Sequence, residues 1–246
     1  MIRNDSISRF AVLTLTAGLT LGLTAAAPAS IMVDTGLDGQ TVQTDFTEWS
    51  IANNNGGDPT PQSTGPLVIE SDFASGEFGS DVRFFLNDSK GSASNLDARD
   101  RTSANSDVSG DPQEDLVNDF IMADDVNSDL LLTIQGFEAG TFSITTFHND
   151  VQFRDANRTW DIELTDANGT SQLVGGVTDD PAQINSLTFN FTSSGLDDDD
   201  VVIQINGTGG SGGSPVLNGF TIVPEPGTLA LVGLGTGMIF ARRRRA

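Results

Sequence analysis

Runs of four to nine apolar and β-branched residues recur through most of this chain, separated by clusters of Asn, Asp, Gly, Ser and Pro. The runs at 43–50, 67–71, 82–86, 119–123, 130–137, 141–148, 159–165, 171–174, 184–192, 201–205 and 216–223 predict strands. Several alternate with period two, which puts one set of side chains on each face of a sheet. In 141–148, Phe142, Ile144, Thr146 and His148 share one face, and Ser143, Thr145 and Phe147 share the other. Trp160, Ile162 and Leu164 likewise fall together. No long stretch between the two ends repeats its apolar residues with a helical period. Short strands at this spacing predict an all-β fold, an antiparallel β-sandwich or jelly roll.

The turn residues fit that reading. Glu138-Ala139-Gly140 predicts a hairpin between two apolar strands, and Asn168-Gly169 predicts another between 159–165 and 171–174. Asn218-Gly219 lies inside the last strand, where glycine allows a bulge or a close approach. Residues 52–66 read as a loop. Residues 87–114 are almost wholly polar, and a loop of that length in a compact domain is functional or disordered.

The two ends carry a different pattern. Arg3 and Arg9 precede an apolar run over 10–23, and Ala27-Pro28-Ala29 offers a small-residue exit before Ser30. That order predicts a secretory signal peptide over 1–29. At the other end, Pro224-Glu225-Pro226 is followed by an apolar run to Ala241 and by Arg242, Arg243, Arg244 and Arg245. The run is shorter than the roughly 20 residues that span a bilayer comfortably, although arginine side chains can snorkel to extend it. It is expected to form a short transmembrane helix, with the four arginines held on the cytoplasmic side as a membrane stop.

The order Pro-Glu-Pro, apolar helix, arginine cluster over 223–246 resembles the PEP-CTERM sorting signal of exported bacterial proteins. The resemblance implies processing by an exosortase-type membrane protease and transient insertion in the inner membrane. It also implies a final place in the envelope, the extracellular matrix or the medium. An unprocessed C-terminal anchor is the alternative.

Between the ends, residues 30–222 make one domain's worth of chain. The whole protein has 12 Lys+Arg, 34 Asp+Glu and a formal net charge of −22. Six of the arginines lie in the two ends, so the central domain is more acidic still. Such a surface repels phosphate backbones and anionic lipid heads, which excludes nucleic acid as a partner. Neutral sugars, cations and basic surfaces remain. With no cysteine in the chain, disulfides, thiol nucleophiles and cysteine-ligated zinc are excluded. His148, the only histidine, would be the sole candidate base for a Ser-His-Asp hydrolase.

The central domain carries its own resemblance. LLTIQGFEAGTFSITTFHND over 131–150 is similar to a two-strand segment of secreted PEP-CTERM proteins that ends in His-His/Asn-Asp. VLNGF over 216–220 resembles the closing strand of malectin-like and galactose-binding-like jelly rolls, and VQTDFTEW over 42–49 resembles their opening segment. The resemblance implies a galactose-binding-like jelly roll, a carbohydrate-binding role and, in such folds, one structural Ca²⁺. The second histidine of the motif is replaced here by Asn149, so no role can require two adjacent histidines.

These readings single out candidate site residues. Trp49 sits at a strand end beside a long loop, where an indole could stack on a sugar; packing in the core is the alternative. His148 and Asp150 leave a strand end and could bond sugar hydroxyls or a cation; a satisfied structural histidine is the alternative. Asp197, Asp198, Asp199 and Asp200 form an acidic run of the kind Ca²⁺ favours, although such a run is also an ordinary solvated turn. No catalytic residue stands out, since the glutamates are scattered. The function expected is a non-catalytic carbohydrate-binding module associated with exopolysaccharide. A secreted polysaccharide lyase or glycoside hydrolase and a purely structural biofilm protein are the alternatives.

Overall fold

The protein is described by a computed structural model. It describes residues 30–51, 66–71, 73–74, 81–89, 96–100, 114–123, 128–150, 159–178, 184–197, 199–207 and 214–225. The expected signal peptide over 1–29, the apolar C-terminal run expected to form a transmembrane helix with Arg242 to Arg245, Pro226 and Asp198 lie outside these residues.

Fourteen strands and one helical turn make up the described chain. They are β1 (Ile31–Leu37), β2 (Thr47–Ile51), β3 (Leu67–Glu70), β4 (Asp81–Asp88), β5 (Leu96–Asp100), α1 (Glu114–Val117), β6 (Asp119–Ala123) and β7 (Leu130–Gln135). There follow β8 (Gly140–Phe147), β9 (Thr159–Thr165), β10 (Ser171–Thr178), β11 (Ser186–Ser193), β12 (Val201–Gly207), β13 (Val216–Leu217) and β14 (Gly219–Pro224). One sheet has five strands in the order β11-β8-β14-β1-β2, and a second has six in the order β10-β9-β12-β7-β4-β3. A third, β13-β6-β5, has three. Pairing is antiparallel throughout except between β1 and β2. The architecture is an antiparallel β-sandwich of jelly-roll type, as the alternation predicts.

The inner faces of the two large sheets supply the core. Phe84 from the six-stranded sheet meets Phe220 from the five-stranded sheet with ring centroids 5.1 Å apart. Phe137, Phe142 and Phe191 form a second aromatic cluster, 4.7–5.4 Å between centroids. Trp160, Ile162 and Leu164 are fully buried on one face of β9, and Phe142, Ile144 and Thr146 on one face of β8. Each buried aromatic or aliphatic side chain contributes about 1.5–3 kcal/mol, so the two sheets are held by this core in a chain without disulfides.

Four expectations are corrected. Residues 138–140 do not make a hairpin: β7 belongs to the six-stranded sheet and β8 to the five-stranded one, so the connection crosses between layers. The last strand is two, because Asn218 leaves the ladder between β13 and β14. The polar stretch 87–114 contains the end of β4 and the whole of β5, whose Leu96 and Ala98 are buried. Finally, β1 follows directly on Ser30, where the sequence suggested no strand; its Ile31, Val33 and Leu37 join the core. The Asn168-Gly169 hairpin is present: β9 and β10 pair, Gly169 has φ +74°, and Asp166 Oδ1 accepts from the backbone N–H groups of Asn168 and Thr170.

Candidate functional site

Asn218 organises the polar interior between β8, β13 and β14. Its side chain is fully buried. Its Oδ1 accepts from Asn149 N at 2.5 Å, and its Nδ2 donates to the Asp119 and Asn149 carbonyls at 2.8 and 3.0 Å. Asn149 Oδ1 in turn accepts from Asn185 N at 2.8 Å. Three chain segments are thus cross-linked through one asparagine, and every amide hydrogen bond it can make there is backbone-directed.

His148 lies in the same interior with 0% exposure. The Val216 carbonyl, 2.8 Å from Nδ1, can only accept, so Nδ1 carries the proton and donates; Nε2 then accepts from the Thr146 hydroxyl at 2.8 Å. Burial pushes the ring pKa down to about 4, against a smaller upward effect of the Val216 hydrogen bond. The imidazole is therefore neutral, with both nitrogens used. Asp150 is 2% exposed. Both residues that the sequence suggested for a surface ligand are buried where a strand end was expected to open to solvent, and His148, with both ring nitrogens bonded, takes the structural role that was its alternative reading.

Trp49 is corrected in the same way. It is 5% exposed and its ring lies 6.5 Å from that of Phe84, between the two sheets. The parallel pairing of β2 with β1 places this residue opposite Thr35 and turns its indole inward. In the acidic run, Asp199 Oδ2 accepts from the Ser194 backbone N–H at 2.9 Å and from its hydroxyl, and Asp200 accepts from Gln135 Nε2. Asp199 and Asp200 thus tie down a turn. Among the described residues no group of three His, Asp or Glu side chains is arranged to hold a metal.

A different carboxylate is exceptional. Asp34 on β1 is 4% exposed, and its Oδ2 accepts from Gln43 N at 2.6 Å. Its Oδ1 is buried without a hydrogen-bond partner. Burial pushes its pKa up to about 7; the Gln43 hydrogen bond opposes this, and Asp115 and Glu48 add to it. Asp34 lines a small, narrow cleft together with Gln40, Thr41, Glu48, Ser50 and Asp119. Asp119 Oδ2 accepts from Leu37 N at 3.1 Å, and Gly36 makes room for it, since a Cβ there would overlap the carboxylate. Sequence reasoning missed Asp34 because β1 was not recognised as a strand. It passed over Asp119 because the residue opens a run that otherwise reads as apolar.

The outward face of the six-stranded sheet is the other feature of note. Register places Phe85, Thr133, Val202 and Thr165 in one row across β4, β7, β12 and β9. Asn87, Leu131, Gln204 and Glu163 form the next row, which Leu173 on edge strand β10 extends. Phe85, Leu131 and Val202 are half-buried on this face, and Leu173 is 64% exposed. In the first row Phe85 and Val202 alternate with the Thr133 and Thr165 hydroxyls at the strand spacing of about 4.8 Å, and in the second Leu131 and Leu173 lie among amides and the Glu163 carboxylate.

Residues 223–245 match the PEP-CTERM protein-sorting motif, which marks the protein as exported. No curated protein matches the chain. Among solved structures, the CBM35 module of Cellvibrio japonicus Abf62 is 12% identical over 65% of this chain and 93% of its own, with a TM-score of 0.35. The xylan-binding module CBM15 is 16% identical, covering 65% of this chain and 97% of its own, with a TM-score of 0.35. TmCBM61, solved with β-1,4-galactotriose, is 8% identical over 58% of this chain and 88% of its own, with a TM-score of 0.34. These are likenesses of shape, and what those modules bind is not transferred to this chain.

Proposed function

We propose that this protein is an exported, non-catalytic polysaccharide-binding module of the envelope or extracellular matrix, delivered by exosortase-type processing of its C-terminal signal. The observation that carries this reading is the outward face of the six-stranded sheet. A sugar ring is itself amphipathic, with C–H faces and hydroxyl rims. Phe85, Leu131 and Val202 suit the former, while Asn87, Thr133, Thr165 and Gln204 suit the latter. The acidity of the protein favours a neutral glycan.

The test is a glycan array probed with the chain from Ser30 to Glu225, which keeps the whole of β14, followed by titration of the glycan bound. Phe85→Ala is expected to weaken binding about tenfold, which is ~1.4 kcal/mol, while circular dichroism shows the sandwich retained. Retained affinity would remove this face from consideration, and sugar release by the purified protein would turn the reading toward an enzyme.

A cation is the second element of the reading, carried by the bare Asp34 Oδ1. Asp34 and Asp119 supply two carboxylates; Ca²⁺ needs six to eight oxygens, so Thr41, Gln40, Ser50 and backbone carbonyls would have to complete the shell. Bound Ca²⁺ would neutralise the buried charge and tie β1 to β6. Calcium is expected to raise the melting temperature of the parent and leave that of Asp34→Asn unchanged; equal shifts in both would place the ion elsewhere.

A further inference from the structure

The sorting motif does not hang from the sandwich on a linker; it begins inside the central strand of a sheet. β14 lies between β8 and β1 in the five-stranded sheet, and its last residue is Pro224, the first proline of the motif. Pro224 is buried and pairs with Phe142 of β8, whose ring belongs to the Phe137–Phe142–Phe191 cluster. The next residue is also held: Glu225 N donates to the Thr141 carbonyl at 3.0 Å. Proline has no N–H to give to a ladder, and it is tolerated here because it is the final position of the strand. The residue that serves as a recognition element is thus also a piece of the core.

We propose that the folded sandwich withholds Pro224 and Glu225 from the processing protease, so that the bond cut lies C-terminal to Glu225 and the mature protein keeps all of β14. The inference rests on the exosortase reading above. In the cleavage the peptide C–N bond breaks, the acyl carbon passes to water or to an amine acceptor, and the leaving nitrogen takes up a proton. The enzyme has to hold an extended stretch of chain on both sides of that bond. Residues 224 and 225 are already engaged by β8 along their backbone, and a second set of partners can reach them only after this end of the strand frays. Cutting that depends on opening is slowed by the fraction of time the segment is open. The same arrangement makes the signal sensitive to folding, since an unfolded body exposes the whole motif.

The experiment uses the full chain in a bacterium carrying a matching exosortase-type protease, with the C-terminal peptide of the mature protein identified by mass spectrometry. A companion variant carries Gly-Ser-Gly-Ser between Val223 and Pro224, which leaves the motif intact and moves it off the sheet; near-UV circular dichroism reports whether the sandwich is retained. The expected result is a parent terminus at Glu225 or beyond and processing of the linker variant at least tenfold faster. A parent terminus at Val223 or Pro224, or equal rates in both proteins, would overturn the inference. Absence of processing in both would instead overturn the exosortase reading beneath it.

Discussion

Asp34 and His148 pull the acid stability of this protein in opposite directions. Asp34 has a folded pKa of about 7, against the ordinary 3.8. The folded state therefore holds its proton more tightly than the unfolded state. Its favourable contribution is complete below pH 3.8 and is lost as pH rises through 7, an effect on the order of 4 kcal/mol. His148 has a folded pKa of about 4, against 6.5. Its contribution is complete above 6.5 and is lost as pH falls through 4, on the order of 3 kcal/mol. Between pH 4 and 6.5 the two slopes largely offset each other. Asp34→Asn is thus expected to raise stability at pH 8 by a few kcal/mol and to unmask the loss due to His148 on acidification. Denaturant titrations at pH 5 and 8 check this, and a variant with the parent's pH profile would refute it. The role of Asp34 was not legible beforehand, whereas a satisfied structural histidine was one of the two readings of His148. The sequence offered His148, Asp150 and Trp49 as site residues because strand ends and rare residue types attract attention; whether such a residue faces inward depends on how β2 and β13 are placed, which one strand's alternation does not determine.

At the scale of elements, Asn218 and Gly219 show how one interruption fixes several strands. Asn218 joins Asn149 and Asp119 by side-chain bonds, and its backbone N–H donates to Phe147 O at 3.0 Å while its carbonyl accepts from Thr35 N at 2.8 Å. Truncation by Asn218→Ala keeps the backbone bonds but would leave Asn149 N and the Asp119 and Asn149 carbonyls without their side-chain partner, at about 1–3 kcal/mol each, so a loss of roughly 3 kcal/mol or more is expected in urea unfolding. Gly219 lies where β14 crosses β1: a Cβ there would overlap the Val33 carbonyl oxygen and stand 2.7 Å from Leu116 Cδ1. Because backbone cannot retreat as a flexible side chain can, Gly219→Ala is expected to cost about as much, by separating the strands rather than by losing hydrogen bonds. A Gly219→Ala protein with parental stability would show that the β1–β14 contact is looser than described. The close approach at this glycine was readable from the sequence, as were β6, β9 and most other strands, since their alternation is a local property. β5 was hidden because a mostly polar stretch surrounds it, and the crossing between β7 and β8 was hidden because a glycine turn looks alike whether its strands pair or part.

For the molecule as a whole, charge is the decisive quantity. A net charge of −22 destabilises the compact state by self-repulsion, and salt screens it over a Debye length that falls from about 30 Å at 0.01 M to about 10 Å at 0.1 M. Sodium chloride added over that range is therefore expected to raise the melting temperature by several degrees. The same field bears on the partner. A neutral glycan over the Phe85 row of the outer face would meet apolar and uncharged polar groups, with the Glu163 carboxylate in the next row; being uncharged itself, it should bind with an affinity that hardly changes with salt. An anionic polysaccharide would be repelled at low ionic strength and would bind better as salt is added. Titrating a neutral and an acidic glycan against the Ser30–Glu225 protein at 0.01 M and 0.1 M salt separates the two cases. Salt-independent binding of the neutral polymer alone is the expected outcome. Preference for the acidic polymer at low salt would require cationic contacts strong enough to overcome the field of the whole protein, and would move the binding site away from this face.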